Sequence, residues 1–228
     1  MDIAENWKTE SLRLTVFPHP NQQFVNRTSW WADVVDSDPE TITEQPRNAV
    51  YQATGPLTDD AQLLLNVQPE RIDWQLSASD KQRETGGLPT ISSLDKTSAI
   101  IIPRLEKWLQ SGCPKCQRIA WGAVLLRQVQ SKAEGYHLLS NYLKDVTIDA
   151  DNSSDFSYSI NRPRKFSSGE ITINRVSRWS VINYKIFRIS DIGSGGGSLV
   201  LDPLRDGNPA CRLELDINTN ADRPDRPG

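Results

Sequence analysis

Residues that could do chemistry are scarce in this chain: three cysteines (Cys113, Cys116, Cys211) and two histidines (His19, His137). Cys113-Pro114-Lys115-Cys116 has the spacing of one half of a zinc site. A second pair is needed, and Cys211, His19 and His137 show no paired spacing. Cys113 and Cys116 are therefore weak metal candidates, and the plain alternative is a tight turn after a helix. A redox Cys-x-x-Cys normally opens a helix, whereas this one follows a helical pattern and leads into a strand. Two histidines without a Gly-x-Ser-x-Gly elbow give a hydrolase triad little support. The run Gly193-Ser194-Gly195-Gly196-Gly197 lacks the Lys-Ser/Thr of a phosphate loop. Asp73 lies on a strand pattern suited to a metal nuclease, but no acid-x-Lys follows on the next strand. We expect no catalytic residue and no cofactor, with an enzyme as the third reading behind two kinds of binding.

Binding chemistry concentrates between Phe156 and Arg188, where seven Lys or Arg accompany one acid, Glu170. The stretch echoes itself: Ser159-Ile160-Asn161-Arg162 returns as Thr172-Ile173-Asn174-Arg175, and Lys165-Phe166-Ser167 as Arg178-Trp179-Ser180. Two runs of aromatic and β-branched residues flank Ser167-Ser168-Gly169-Glu170, which reads as a β-hairpin with a loop of about four residues. With the turn centred between Ser168 and Gly169, Arg162 stands opposite Arg175 and Ile160 opposite Ser177. Like charges across a ladder repel, by about 0.2–1 kcal/mol when solvated. Alternation puts Phe156, Tyr158, Ile160, Arg162 and Arg164 on one face of the first arm. Ile171, Ile173, Arg175 and Trp179 share a face of the second. A guanidinium at the end of an apolar face needs a carboxylate, a phosphate or carbonyl acceptors. That partner is either an internal carboxylate, with Glu214 and Asp216 as candidates, or a bound anion or acidic partner surface.

The chain's 228 residues suffice for one large domain or two small ones. Hydrophobic content is 37% and mean hydropathy is −0.53, low for a compact globule, although seven Trp can each bury a large area. No run approaches the roughly 18 apolar residues of a membrane helix. The start, Met1-Asp2-Ile3-Ala4-Glu5, lacks the basic and apolar regions of a signal peptide. Three cysteines do not suggest a disulfide framework. The expectation is a soluble, cytoplasmic protein. Charge is uneven: residues 1–100 hold 8 Lys/Arg against 15 Asp/Glu, and residues 101–228 hold 18 against 14. An acidic first half complements a basic hairpin, or one charged surface serves a partner.

These residues need elements to position them. Leu12, Leu14 and Val16 alternate as an opening strand. Trp30 to Val35 reads as a short helix, Asn48 to Ala53 as a strand, and Thr54-Gly55-Pro56 as a breaker. Ala61–Val67 and Arg71–Ala78 form a hairpin around Gln68-Pro69-Glu70, followed by a polar loop at 79–93. A helix runs from Ser93 or Thr97 to Gln110, with Pro103 in its first turn or kinking it and Gly112 as its cap. Ile119–Leu126 is apolar on both faces and suits a strand covered on both sides. Ser131-Lys132-Ala133-Glu134 is a capping box, opening a helix with an inner stripe of Tyr136, Leu139, Leu143 and Val146. The hairpin's second arm bends near Trp179–Asn183 and resumes at Tyr184–Ile189. Leu199–Leu204 and Cys211–Ile217 close the sheet. Gly193–Ser198 is a linker or loop by composition, and 218–228 a disordered polar tail. The whole reads as a single α+β domain over 1–217, a mainly antiparallel sheet with two principal helices packed on it.

Three segments resemble a sporadically distributed family of uncharacterised bacterial proteins: Ile160-Asn161-Arg162, then Asn174-Arg175 with Arg178-Trp179-Ser180, and the strand Leu213-Glu214-Leu215-Asp216-Ile217. The resemblance implies no site residues, because no activity is attached to the family. The sequence thus leads to a non-catalytic recognition module, a subunit of a larger bacterial assembly, binding a protein partner through Arg162, Arg164, Lys165, Arg175, Arg178 and Trp179. Nucleic-acid binding through the same hairpin is the alternative, since its basic residues interleave with aromatics. The acidic pI near 5.5 argues against it.

Overall fold

The computed structural model describes residues 6–20, 22, 24, 27–81, 87–166, 171–184, 187–190, 200–203 and 207–219. It is an α+β fold, built on a mainly antiparallel sheet of ten strands. In chain order the elements are β1 (Lys8–Pro18), α1 (Trp30–Val34), β2 (Thr41–Gln45), β3 (Val50–Thr58), β4 (Ala61–Gln68), β5 (Arg71–Ala78), α2 (Leu94–Ser111), β6 (Cys116–Gln128) and α3 (Lys132–Ser140). Then come β7 (Ser157–Asn161), β8 (Arg164–Lys165), β9 (Thr172–Tyr184), β10 (Phe187–Ser190), β11 (Val200–Pro203) and β12 (Asn208–Thr219). The sheet order is β2-β3-β4-β5-β1-β6-β12-β9-β7, with β8 also on β9. Among the described residues, no helix is long and apolar enough to cross a membrane.

Period-two alternation makes this sheet one-sided. Leu12, Leu14 and Val16 lie across from Leu76, Trp74 and Ile72 on one flank and from Ala123, Trp121 and Ile119 on the other. Opposite residues share a face, so the apolar sets of β3, β4, β5, β1, β6, β12 and β9 line up on a single side. Two contiguous clusters form there. Under α1 and α2, Trp30, Trp31, Trp74 and Trp108 meet Leu12, Leu63, Leu65 and Ile101. Under α3, Tyr136 and Leu139 meet Leu125, Val181, Cys211 and Leu213, with Trp7 joining them. Leu94 and Leu215 pack against both clusters and connect them. Ser131 caps α3 by accepting from the Glu134 N–H at 3.2 Å, and the Glu134 carboxylate accepts from the Gln130 N–H at 2.6 Å. The Ser131 half is that of the expected capping box; the Glu134 carboxylate reaches back one residue further than the box requires, to Gln130 instead of Ser131.

Several expectations need correction. Thr54-Gly55-Pro56 lies inside β3 rather than breaking it. Pro56 is tolerated because β2 pairs with β3 only as far as Thr54, so its missing N–H falls beyond the edge strand. Gly55 lies close under Trp31, where an added Cβ would come within 3.1 Å of the indole. β2 itself, whose residues are all exposed, carried no apolar alternation to announce it. Of the two places open to Pro103, the structure takes the helix interior: it sits in the middle of α2, on its exposed side. Ile119–Leu126 is central in the sheet; both apolar clusters lie on the side of Ala123 and Leu125, while Leu126, facing the other side, is also fully buried. β9 runs unbroken through Trp179–Asn183, held along its length by β12 from Asn208 to Thr219. β11 does not close the main sheet; it pairs with β10 in a separate two-stranded ladder. Asn218 and Thr219 belong to β12, and Asn218 is buried. The Ser168–Gly169 turn, Gly193–Ser198 and residues 220–228 lie outside the described residues.

Candidate functional site

The hairpin forms in the expected register. Ile160 pairs with Ser177 and Tyr158 with Trp179. Beyond them the Arg162 N–H donates to Arg175 O at 3.0 Å, so the two arginines stand opposite one another. Pro163 has no N–H to give the ladder, and the first arm divides there into β7 and β8. Arg164 and Lys165 then pair with Ile173 and Thr172, and the Phe166 N–H donates to Ile171 O at 2.8 Å. β7 is the edge of the sheet. An amide ladder ties this edge to its neighbours: Asn161 Nδ2 donates to Asn174 Oδ1 at 3.0 Å, and Asn174 Nδ2 to Asn218 Oδ1 at 3.3 Å.

Charge neutralisation at the arginines differs from the simplest expectation. The Arg175 guanidinium donates through Nε to the Arg162 carbonyl at 3.1 Å. Among the described residues neither Arg162 nor Arg175 meets a carboxylate. Glu214, one of the two acids foreseen as their partner, lies on the other side of the sheet. It pairs with Arg178 at 3.5 Å and takes a hydrogen bond from Arg212, whose Nε also faces Glu10 at 3.9 Å. Asp216, the other, accepts from Asn218 Nδ2 at 2.9 Å on that same polar side.

The six binding candidates therefore divide. Arg162 and Arg175 share the face that carries Ile160, Ile173 and Ile217. Arg164 and Lys165 are exposed nearby, beside Phe166, which is 54% exposed. Arg178 points to the opposite face. Trp179 is on the correct face but belongs to the packing. It stacks on Tyr142 at 5.5 Å and meets the edge of Trp7 at 6.1 Å, and Trp7 Nε1 donates to Tyr142 Oη at 3.0 Å. Sequence reasoning missed Ile217. Its parity puts it on the same face as Leu213 and Leu215, yet it is 41% exposed. Nothing local to β12 carries that information.

The cysteines take no visible part in such a surface. Cys113 follows α2, Cys116 opens β6 and Cys211 is buried beneath α3, its Sγ donating to Gly135 O at 3.4 Å. Among the described residues no group of three His, Cys, Asp or Glu could hold a metal ion. Burial pushes the thiols of Cys113 and Cys211 up to about 12 and raises that of Cys116. A rise from 9.0 to about 12 lowers the thiolate fraction at pH 8 about a thousandfold. In the folded protein Cys113 and Cys211 should thus resist a disulfide reagent at pH 8 and titrate fully only in denaturant; rapid native modification of either would contradict this. The thiols also bind their protons more tightly folded than unfolded. Their contribution to stability is complete below pH 9 and is lost as the pH rises toward 12.

No protein-family model matches the chain, and no curated protein matches it.

Proposed function

We propose that the chain is a non-catalytic recognition module that docks an acidic protein partner through the β7–β8–β9 corner of its sheet. It would serve as a subunit of a larger bacterial assembly, a setting that rests on the motif resemblance. One observation carries the reading: Arg162 and Arg175 stand side by side at an edge, with no internal carboxylate among the described residues, next to exposed Ile217. Two adjacent guanidinia repel one another until an anionic group neutralises them. An apolar floor with a charged rim is the make-up of a protein interface, in which aliphatic burial supplies affinity and charges supply register.

Nucleic-acid binding is the second reading, and exposed Phe166 beside Arg164 and Lys165 favours it. It is weakened because Trp179, the larger stacking candidate, is engaged with Trp7 and Tyr142. Charge reversal separates the readings. In Arg162→Glu/Arg175→Glu the fold should keep its stability within about 0.5 kcal/mol, since exposed substitutions rarely do more. Capture of a specific partner from bacterial extract should fall at least tenfold, with a shallow salt dependence. Oligonucleotide binding that is steep in salt and lost in this variant would establish the nucleic-acid reading instead. Unchanged capture would sink both.

A further inference from the structure

β6 lies between β1 and β12 and has a glycine at its middle, Gly122. Glycine weakens a strand interior, because it costs conformational entropy and supplies no side chain for packing. The backbone does not require it here. A Cβ added to Gly122 would meet Leu215 O at 3.6 Å and Arg13 Nη2 at 4.0 Å, both ordinary contacts. By contrast, a Cβ at Gly135 would press to 2.9 Å on Val181, so that glycine is demanded by the packing of α3. At Gly122 the missing side chain leaves open the floor of a cavity of about 190 Å³ on the polar side of the sheet.

Opposite charges face each other across that floor. Arg13 of β1 and Asp216 of β12 both lie directly opposite Gly122, one on each flank. They do not pair with each other. Among the described residues Arg13 has no carboxylate partner, and Asp216 accepts from the Asn218 amide but meets no cation. The neighbouring Arg178 and Arg212 are already engaged by Glu214. Ser11 and Gln75 complete the polar lining.

We propose that this notch binds a small zwitterion of amino-acid size. Its carboxylate would take the planar donor fork of Arg13, its ammonium group would face Asp216, and the carbon between them would lie over Gly122. A simple anion leaves Asp216 unsatisfied, and a simple cation leaves Arg13 so. A notch of about 190 Å³ suits a ligand of amino-acid size.

The test uses the full chain, with thermal-shift and calorimetric titration against neutral, acidic and basic α-amino acids. Acetate and methylamine serve as single-charge probes. At least one amino acid should bind saturably and raise the Tm, while the single-charge probes at equal concentration should not. Gly122→Val and Arg13→Gln should each weaken binding at least tenfold, and Gly122→Val should leave the Tm of the free protein unchanged or higher. Should the valine variant fold poorly, Gly122→Ala, whose Cβ fits at ordinary contact distances, makes the same comparison. Absence of binding by every amino acid, equal binding of acetate, or full affinity in the folded glycine variants would each overturn the proposal.

Discussion

Trp108→Ala should cost about 3–5 kcal/mol of folding stability, the range for truncating a large aromatic in a core that relaxes only partly. Trp108 is 0% exposed at the centre of the larger cluster. Its ring meets the edges of Trp30 and Trp74, both at 5.6 Å, and Trp31 lies 6.3 Å beyond Trp74. Its indole N–H has no acceptor, so the loss is one of packing and not of a hydrogen bond. The effect is larger than for a peripheral tryptophan because Trp108 joins α2 to α1 and to the sheet at once. The vacated space cannot close without moving both helices. Urea unfolding followed by far-ultraviolet circular dichroism measures it. Trp179→Ala, half-buried at the rim of the smaller cluster, should cost distinctly less. A loss under about 1.5 kcal/mol at Trp108 would mean that the helices repack freely, and the account of this core would be wrong.

Asp73→Ala should be the most damaging polar substitution, at about 2–4 kcal/mol. Asp73 is 8% exposed, on the polar face of β5. It accepts from Thr15 Oγ1 at 2.6 Å and pairs with Arg71 Nε at 2.7 Å. Removing it leaves a buried hydroxyl without a partner, which carries the full desolvation cost of that group. Arg71 is partly exposed and can turn to water, so the penalty stays below that of a fully buried ion pair. A double variant makes the mechanism visible. Thr15→Val/Asp73→Ala removes donor and acceptor together and should recover at least 1 kcal/mol relative to the sum of the single losses. Strict additivity would show that the two side chains do not act as a pair.

The sequence by itself determined the elements whose signal is local. The alternation of Leu12-Leu14-Val16, the hairpin around Pro69-Glu70 and the cap at Ser131 all appear as read, because each depends on residues within one or two turns of chain. The Arg162–Arg175 register was legible for the same reason. A hairpin's register follows from its loop, and backbone bonds on both flanks of 167–170 reproduce it. The α+β class followed from the mixture of two periods.

Tertiary structure alone decided the rest. Period two tells which side chains share a face but not which face a neighbour covers. Arg178 and Trp179, adjacent in sequence, necessarily point apart. Only strand order showed that one meets Glu214 and the other Trp7 and Tyr142. Ile217 continues the stripe of Leu213 and Leu215, and nothing local to β12 announces that it is 41% exposed. Pro56 reads as a breaker until the extent of β2 shows that its missing N–H is needed by no partner. Gly122 is silent in sequence for the same physical reason. Its neighbours Arg13 and Asp216 are 109 and 94 positions away along the chain, and pairing with β1 and β12 is what brings them to its two sides.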